Sequence, residues 1–179
     1  MRIGVMSDTH GDMDSMRTAA VAMLNDHNVE AIVHLGDDSS DANELIESGV
    51  AVYSVPGLFE PSYKNPSIPN RAIHEFNGVP FLLTHSVVKT PQDPIEDLDP
   101  KEIVDDDEVK VVLYGHSHIY RISEERGVIF INPGHLKNGD KRSPRKTYAI
   151  VDILATKIVA KIIDLGGEVV EERTFFLMD

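Results

Sequence analysis

Residues 2–38, RIGVMSDTHGDMDSMRTAAVAMLNDHNVEAIVHLGDD, predict a strand, a helix and a second strand. Arg2–Ser7 is mostly apolar, as expected for a buried strand. After a polar break, apolar residues recur at three- and four-residue spacing from Met13, which predicts a helix of about 12–14 residues. The apolar run Ala31–Leu35 predicts the second strand, which ends at Gly36-Asp37-Asp38. A helix between two strands favours parallel pairing of those strands.

The rest of the chain adds a third strand to this pattern and then a second group of strands. A short helix over Asp41–Glu47 is followed by a strand at Ala51–Val55. Asn77-Gly78 is a hairpin signal between strands at Ala72–Phe76 and Pro80–Thr84. The later elements are a helix from Pro100 and strands at 111–114, 120–124, 128–131, 147–154, 157–164 and 168–176. We expect one α/β domain over residues 1–179 that contains more than one sheet.

Composition excludes several classes of protein. The 179 residues include no cysteine, which rules out disulfides, zinc–thiolate sites and cysteine nucleophiles. No apolar run approaches the roughly 18 residues that span a bilayer. The chain enters a strand directly at its N-terminus, so we expect no signal peptide and a cytoplasmic location. The net charge of −13 disfavours general binding to nucleic acid or to anionic membranes.

Polar clusters directly follow five of the predicted strands. They are Asp8-Thr9-His10, Gly36-Asp37-Asp38, Gly57-Leu58-Phe59-Glu60, Thr84-His85-Ser86 and Gly115-His116-Ser117-His118. A single histidine after a strand is usually structural, as we expect for His27, His34 and His74. Four histidines with two aspartates at such positions favour a site for Mn²⁺, Fe²⁺, Zn²⁺ or Co²⁺. In an extended backbone, the spacings Asp8-x-His10 and His116-x-His118 would direct both side chains of each pair to one side.

Together with Asn132-Pro133-Gly134, these clusters resemble the ordered motifs of the calcineurin-like metallophosphoesterases, and most closely those of the small YfcE-like phosphodiesterases. The resemblance covers nearly the whole chain and implies a four-layer α/β/β/α sandwich. It also implies that Asp8, His10, Asp37 and His118 hold one divalent ion. A second ion would be held by Asp37, His85 and His116. The expected metal is Mn²⁺, with Zn²⁺, Fe²⁺, Ni²⁺ and Co²⁺ as alternatives.

The activity implied by the resemblance is hydrolysis of a small phosphodiester. Two cations neutralise the anionic diester and lower the pKa of a bridging water, and the resulting hydroxide attacks phosphorus in line with the leaving oxygen. On this reading His10, Asp37 and His85 belong to the catalytic centre. The expected partner is the small substrate, and a homo-oligomer is compatible with the sequence.

One position departs from the family pattern. The usual Gly-Asn motif reads Gly57-Leu58, so an amide ligand of the second ion is replaced by an apolar side chain. Either the second site works with three protein ligands and water, or it is weak and the chain has drifted away from catalysis. Glu60 is a candidate replacement ligand. Phe59 offers no general acid, so we expect a preference for substrates with good leaving groups.

A basic stretch follows Asn132-Pro133-Gly134 in this acidic chain; it contains Lys137, Lys141, Arg142, Arg145 and Lys146. Because the resemblance places this segment near the metals, Arg142, Arg145 and His135 are candidates for substrate binding. The alternative to a role in substrate binding is that this basic stretch forms a solvent-exposed loop. The alternative function is a binding or scaffold protein similar to Vps29, the retromer subunit, with Leu58 and Phe59 in an apolar contact surface. A protein that binds a single metal is a third reading.

Overall fold

The computed structural model describes residues 1–177, and its strands form two sheets. The strands are β1 (Arg2–Met6), β2 (Ala31–His34), β3 (Ala51–Ser54), β4 (Arg71–Phe76), β5 (Val79–Thr84), β6 (Val111–Leu113), β7 (Arg121–Glu125), β8 (Val128–Asn132), β9 (Thr147–Ile153), β10 (Lys157–Asp164) and β11 (Val169–Phe176). Each predicted strand is present, and its ends lie within one residue of the predicted ones.

Both sheets are mixed; the parallel strands form one side of the first sheet and the centre of the second. The first sheet has the order β11-β10-β9-β1-β2-β3, and β1, β2 and β3 pair in parallel as predicted. β9 adds to the other side of β1 in the antiparallel direction. The second sheet has the order β4-β5-β6-β8-β7, in which β5, β6 and β8 are parallel. Parallel strands bring their carboxyl ends to the same edge, and the polar clusters of the sequence follow those ends.

The helices are short. The predicted first helix is α1 (Met13–Val21), whose N-terminus is capped by Asp12, and it continues as a π-helical segment over Ala22–Asp26. The segment expected to be a short helix forms a 3₁₀ helix over Ser39–Ser48, and another 3₁₀ helix covers Pro61–Lys64. The helix expected from Pro100 is α2 (Pro100–Asp105). Within residues 1–177, no helix has the length and apolar character needed to cross a membrane.

Three clusters of buried apolar side chains separate the layers. The largest lies between the sheets and joins Val5 and Val151 of the first sheet to Leu83 of the second. A second cluster packs Met16 and the other buried side chains of α1 against the outer face of the first sheet. The third packs Ile103 of α2 against the outer face of the second sheet. The mixed α/β class is confirmed, and the clusters follow the order that a four-layer sandwich requires.

Backbone hydrogen bonds join neighbouring loops within each sheet at the edge where the polar clusters lie. The Gly115 N–H donates to the carbonyl of His85, and the Asp8 N–H donates to that of Gly36. The approach is close enough to require glycine at residue 57. A Cβ atom added there would lie 2.0 Å from Oδ1 of Asp37 and 2.6 Å from its backbone nitrogen.

Candidate metal centre

Two groups of ligand atoms lie at the edge where the sheets meet. Site one consists of Asp8, His10, Asp37 and His118, and site two consists of Asp37, His85 and His116. In each site one ligand atom per residue lies within 4.8 Å of all the others. Asp37 belongs to both sites, which is the arrangement that the sequence resemblance implies. The aspartates follow strands of the first sheet, and the histidines other than His10 follow strands of the second.

Site one is compact and mostly buried. The Nε2 atom of His118 lies 3.0 Å from Oδ1 of Asp8 and 3.2 Å from Nε2 of His10. His10 is in turn 3.4 Å from Oδ2 of Asp37. The Asp8 and His118 side chains are 0% and 1% exposed, whereas that of His10 is 29% exposed and faces the opening of the site.

The hydrogen bonds of Asp8 show how well site one suits a cation. Its Oδ2 accepts hydrogen bonds from the Ser7 hydroxyl and from the backbone N–H of His116. Its buried Oδ1 accepts no hydrogen bond from any residue of the described chain. A buried carboxylate oxygen without a partner costs free energy, and a cation among these four ligands would remove that cost. The residues of site one therefore fit a divalent ion.

Site two has fewer ligands, and one of them is oriented by the first sheet. Nε2 of His85 lies 3.5 Å from Oδ1 of Asp37 and 3.2 Å from Nδ1 of His116. The other ring nitrogen of His85 lies 2.7 Å from the carbonyl oxygen of Leu35. Because a carbonyl only accepts, Nδ1 carries the hydrogen and Nε2 keeps its lone pair for the site.

The backbone is left-handed at five of the six candidate ligand residues. The φ angles are 54° at Asp8, 47° at His10, 54° at Asp37, 67° at His116 and 62° at His118. The extended backbone considered for Asp8-x-His10 and His116-x-His118 is therefore wrong. Tight turns bring these side chains together instead. Non-glycine residues in this conformation store strain, which is found mainly where a site demands it.

Burial sets the protonation of the histidines. It lowers the pKa of His10 and that of His116, although the charge of Asp37 opposes the shift in both. Both rings are therefore neutral at pH 7, which is the form that ligates metals. Burial acts to raise the pKa of Asp8, but the nearby imidazoles of His118 and His85 and the hydrogen bond from Ser7 bring that pKa below its ordinary value. Site one thus presents an ionised carboxylate to a cation.

The Leu58 segment does not complete site two. Leu58 is buried at 8% exposure, while Phe59 is 81% exposed. Glu60 joins neither site, because its carboxylate accepts hydrogen bonds from the backbone N–H groups of Gly57 and Ser39, at 2.6 and 3.0 Å, and from the Ser39 hydroxyl. Glu60 holds its own loop together and is not brought to the position of a replacement ligand.

The three candidates for substrate binding occupy different places. Arg142 lies against site one, with Nη2 2.7 Å from each ring nitrogen of His118. The buried ring of His135 stacks on that of His118 with centroids 5.4 Å apart. Arg145 is not brought to the site, because it pairs with Asp164 and Glu168.

Two polar contacts near the site were missed in the sequence. Asp140, 4% exposed, places Oδ2 2.5 Å from Nδ1 of His118. It is the only acidic residue between Lys137 and Lys146, and its isolation in this basic stretch could have marked it as a candidate site residue. The second contact begins at buried His34, which accepts from the Gly36 N–H through Nδ1. Its Nε2 lies 3.2 Å from the Thr9 hydroxyl, which donates to Asp41 and so links two ligand loops.

Sequence comparisons agree with the motifs. A sequence model of the calcineurin-like phosphoesterase superfamily domain matches residues 1–156. A probable metallophosphoesterase of Mycoplasma pneumoniae is 31% identical over 166 residues, covering 88% of this chain and 92% of that protein. A phosphodiesterase of Methanocaldococcus jannaschii is 29% identical over 147 residues, covering 75% of this chain and 83% of that protein.

Solved structures with the same fold include proteins of two kinds. Vacuolar protein sorting 29 (Vps29) of Cryptosporidium parvum superposes with a TM-score of 0.72 at 16% identity, over 99% of this chain and 98% of that one. The phosphoesterase YfcE of E. coli superposes with a TM-score of 0.67 at 16% identity, over 97% and 98% of the two chains. At these identities the likeness shows the fold alone.

Proposed function

The chain belongs to the calcineurin-like phosphoesterase superfamily and is on that ground a metal-dependent phosphoesterase, and we propose that its substrates are small phosphodiesters. The observation that carries this proposal is the pair of ligand sites that share Asp37. Divalent cations bound there would neutralise the charge of a phosphodiester and activate water for attack on phosphorus. We propose Mn²⁺ as the metal, with His10, Asp37 and His85 at the centre of the reaction.

The protein's own residues hold this centre rigid. The Ser7 hydroxyl and the His116 N–H fix Asp8, and the Leu35 carbonyl fixes the ring of His85. Arg142 is half-exposed beside site one, so its guanidinium can turn to bind phosphate oxygens with two parallel hydrogen bonds. Arg145 forms salt bridges with Asp164 and Glu168, and these salt bridges have to break before Arg145 binds substrate.

Size and charge favour small substrates over polyanions. The chain carries a net charge of −13, which repels nucleic acid and other long polyanions. A short diester bears one negative charge, and Arg142 beside two cation sites can offset it locally. We propose that residues 1–179 act as one domain in the cytoplasm on such diesters.

The leaving group decides which diesters react fast. Phe59 is exposed and has no proton to donate, and Glu60 is engaged with Ser39 and Gly57. Without a proton donor at these positions, an alkoxide leaving group of high pKa departs slowly. Aryl diesters, whose leaving groups need no proton at neutral pH, are therefore the better substrates.

The second site binds its ion more weakly than the first. Site one offers two carboxylates and two imidazoles, whereas site two offers one shared carboxylate and two imidazoles. Leu58 has no donor atom with which to add a fourth ligand. An ion in site two therefore keeps more water, and Leu58→Asn restores an amide oxygen at that position.

The test is Mn²⁺-dependent hydrolysis of a chromogenic aryl phosphodiester by the wild type, His116→Ala and Leu58→Asn. We expect turnover in the wild type, at least a hundredfold loss in His116→Ala and a gain in Leu58→Asn. His74→Gln, in strand β4, is the matched control and should keep full activity. Equal rates on alkyl and aryl diesters would contradict the leaving-group argument alone.

A second candidate function is binding without catalysis, as in a Vps29-like scaffold. The observation that favours it is the exposed Phe59 beside the apolar substitution at Leu58. The same assay decides, because a scaffold would show no wild-type turnover with any of several divalent metals and would gain activity only as Leu58→Asn. Four histidine ligands in two sites favour the enzyme, since a scaffold has no chemical need of them.

A further inference from the structure

Asp140 contacts a metal ligand through the ring nitrogen that faces away from the metal site. Its Oδ2 lies 2.5 Å from Nδ1 of His118, while Nε2 of His118 points at Oδ1 of Asp8, 3.0 Å away. Both side chains are almost fully buried, at 4% exposure for Asp140 and 1% for His118. The contact is therefore enclosed by protein and bridges the loop after β8 to the ligand loop after β6.

From this geometry we infer that Asp140 is a positioning residue, which fixes His118 in the tautomer with hydrogen on Nδ1 and so directs the Nε2 lone pair into site one. An ionised carboxylate only accepts hydrogen bonds, so the nitrogen that faces it must carry the hydrogen. A neutral imidazole has one such hydrogen, and the lone pair then belongs to Nε2. The inference rests on the proposed metal site for its purpose, but the hydrogen on Nδ1 is a property of the protein without metal. Nε2 then faces Oδ1 of Asp8 at 3.0 Å, and an ion in site one would displace any hydrogen that Nε2 carries there.

Arg142 supports the role of Asp140. The Arg142 backbone N–H donates to Oδ1 of Asp140 at 2.7 Å, and its guanidinium lies 3.2 Å from Oδ2. These contacts keep the carboxylate ionised and hold it in one orientation. The guanidinium also lies against both ring nitrogens of His118, so it stabilises whichever nitrogen keeps the lone pair, and Asp140 decides which one that is.

A third metal site is the competing explanation for this cluster. Ligand atoms of His118, His135 and Asp140 also lie within 4.8 Å of one another, and the buried Nδ1 of His135 accepts no hydrogen bond within residues 1–177. A neutral His118 ring, however, has only one lone pair to give. If Nδ1 bound an ion here, Nε2 would carry hydrogen and would be lost to site one, which has the larger ligand set. The hydrogen-bonded role of Asp140 keeps site one complete.

The Asp140→Asn variant tests the inference because it keeps the shape and reverses the hydrogen bond. The amide oxygen can still accept the Arg142 N–H, so the amide NH₂ faces His118 and donates to Nδ1. The ring hydrogen then moves to Nε2, where Oδ1 of Asp8 accepts it. We expect the ¹⁵N spectrum of the metal-free protein to show hydrogen on Nδ1 of His118 in the wild type and its loss in Asp140→Asn. The signals of His118 are assigned by their absence in His118→Gln.

Calorimetric titration with Mn²⁺ gives the second readout. We expect Asp140→Asn to bind the tighter ion about 10–100-fold more weakly, which is the usual effect of losing such a hydrogen bond to a ligand. Asp140→Ala, which removes the acceptor without supplying a donor, should also weaken binding. Asp164→Asn is the matched control, because Asp164 also accepts backbone N–H groups of its own loop and pairs with an arginine, but contacts no histidine.

The outcomes separate this inference from the proposed function. A wild-type His118 without hydrogen on Nδ1 overturns the inference, and so do Asp140→Asn and Asp140→Ala variants in which the Nδ1 hydrogen and the Mn²⁺ affinity are unchanged. A wild-type protein that takes up no Mn²⁺ contradicts the proposed function, and the wild-type titration alone shows it. In that case the tautomer comparison between wild type and Asp140→Asn still decides the inference.

Discussion

The Nε2 atoms of His10 and His118 face each other at 3.2 Å across the seam between the two sheets. At most one of the two nitrogens can donate to the other, and both lie close to carboxylates. A cation would accept a lone pair from each ring and would also satisfy Oδ1 of Asp8. Metal binding should therefore add to the stability of the fold as well as to its activity.

Adding Mn²⁺ should raise the melting temperature of the metal-free protein. An ion at a hundred times its dissociation constant stabilises the folded state by about 2.7 kcal/mol, which corresponds to a rise of roughly 5–10 °C at this size. A chelator should reverse the rise. His118→Gln should abolish most of it, whereas His74→Gln should keep it. If adding Mn²⁺ does not change the melting temperature of the wild type, site one does not bind the ion.

Asp37→Asn should cost the protein both ions, because Asp37 is the only residue common to the two sites. His116→Ala removes a ligand of site two alone and should leave one ion per chain. Equilibrium dialysis with Mn²⁺ measures the stoichiometry directly. Retention of one tightly bound ion by Asp37→Asn would mean that the two sites do not share this ligand.

The buried His34 should make the protein less stable in mild acid. Burial lowers its pKa from 6.5 to about 4, so the unfolded chain binds more protons than the folded one between these values. The contribution of neutral His34 is complete above pH 6.5 and is lost as the pH falls towards 4; it amounts to about 3 kcal/mol. Urea unfolding of the wild type across this range should show the decline.

His34→Gln is the variant that isolates this effect. A glutamine amide can donate to Thr9 but does not titrate, so the free energy of unfolding should depend less on pH between 4 and 6.5. Some dependence should remain, because burial also lowers the pKa of His10, His27, His116 and His135. An identical slope in wild type and variant would show that His34 is not the source.

Gly57→Ala should weaken metal binding and destabilise the fold. The added methyl group would lie 2.0 Å from Oδ1 of Asp37, and only movement of that ligand or of the backbone can relieve the overlap. We expect a loss of about 1–3 kcal/mol in the free energy of unfolding and a drop in Mn²⁺ affinity. Gly166→Ala is the control, since a Cβ there comes no nearer than 3.2 Å to Asp164. Equal effects of the two substitutions would rule out a specific role for Gly57.

The sequence was sufficient for the parts of the fold that depend on local patterns. The apolar runs at β1 and β2 and the periodicity after Met13 predicted the elements to within a residue or two, since burial imposes those patterns directly. The family motifs then selected the six candidate metal ligands, which the structure brings together in two sites.

The remaining features depend on contacts between distant segments, which a pattern does not contain. The apolar pattern gave no sign of the left-handed turns at Asp8 and His118, although aspartate and histidine adopt this conformation more often than most residues. Arg145 lies in the same basic stretch as Arg142, but pairing with Asp164 across the loop draws it away from the site. Asp140 is separated from His118 by 22 residues, so only the folded chain shows their contact.

The position of β1 at the middle of its sheet has a consequence for synthesis on the ribosome. β1 carries Asp8 and His10 at its end, and it is flanked on one side by β9, which ends at Ile153. Asp8 and His10 are therefore synthesised long before β9, the strand that pairs with β1 on one side. A nascent chain that stops short of β9 carries all six candidate ligands but lacks the strand that flanks β1 in the first sheet. We therefore expect the arrangement of the candidate centre to form only after β9 has been synthesised.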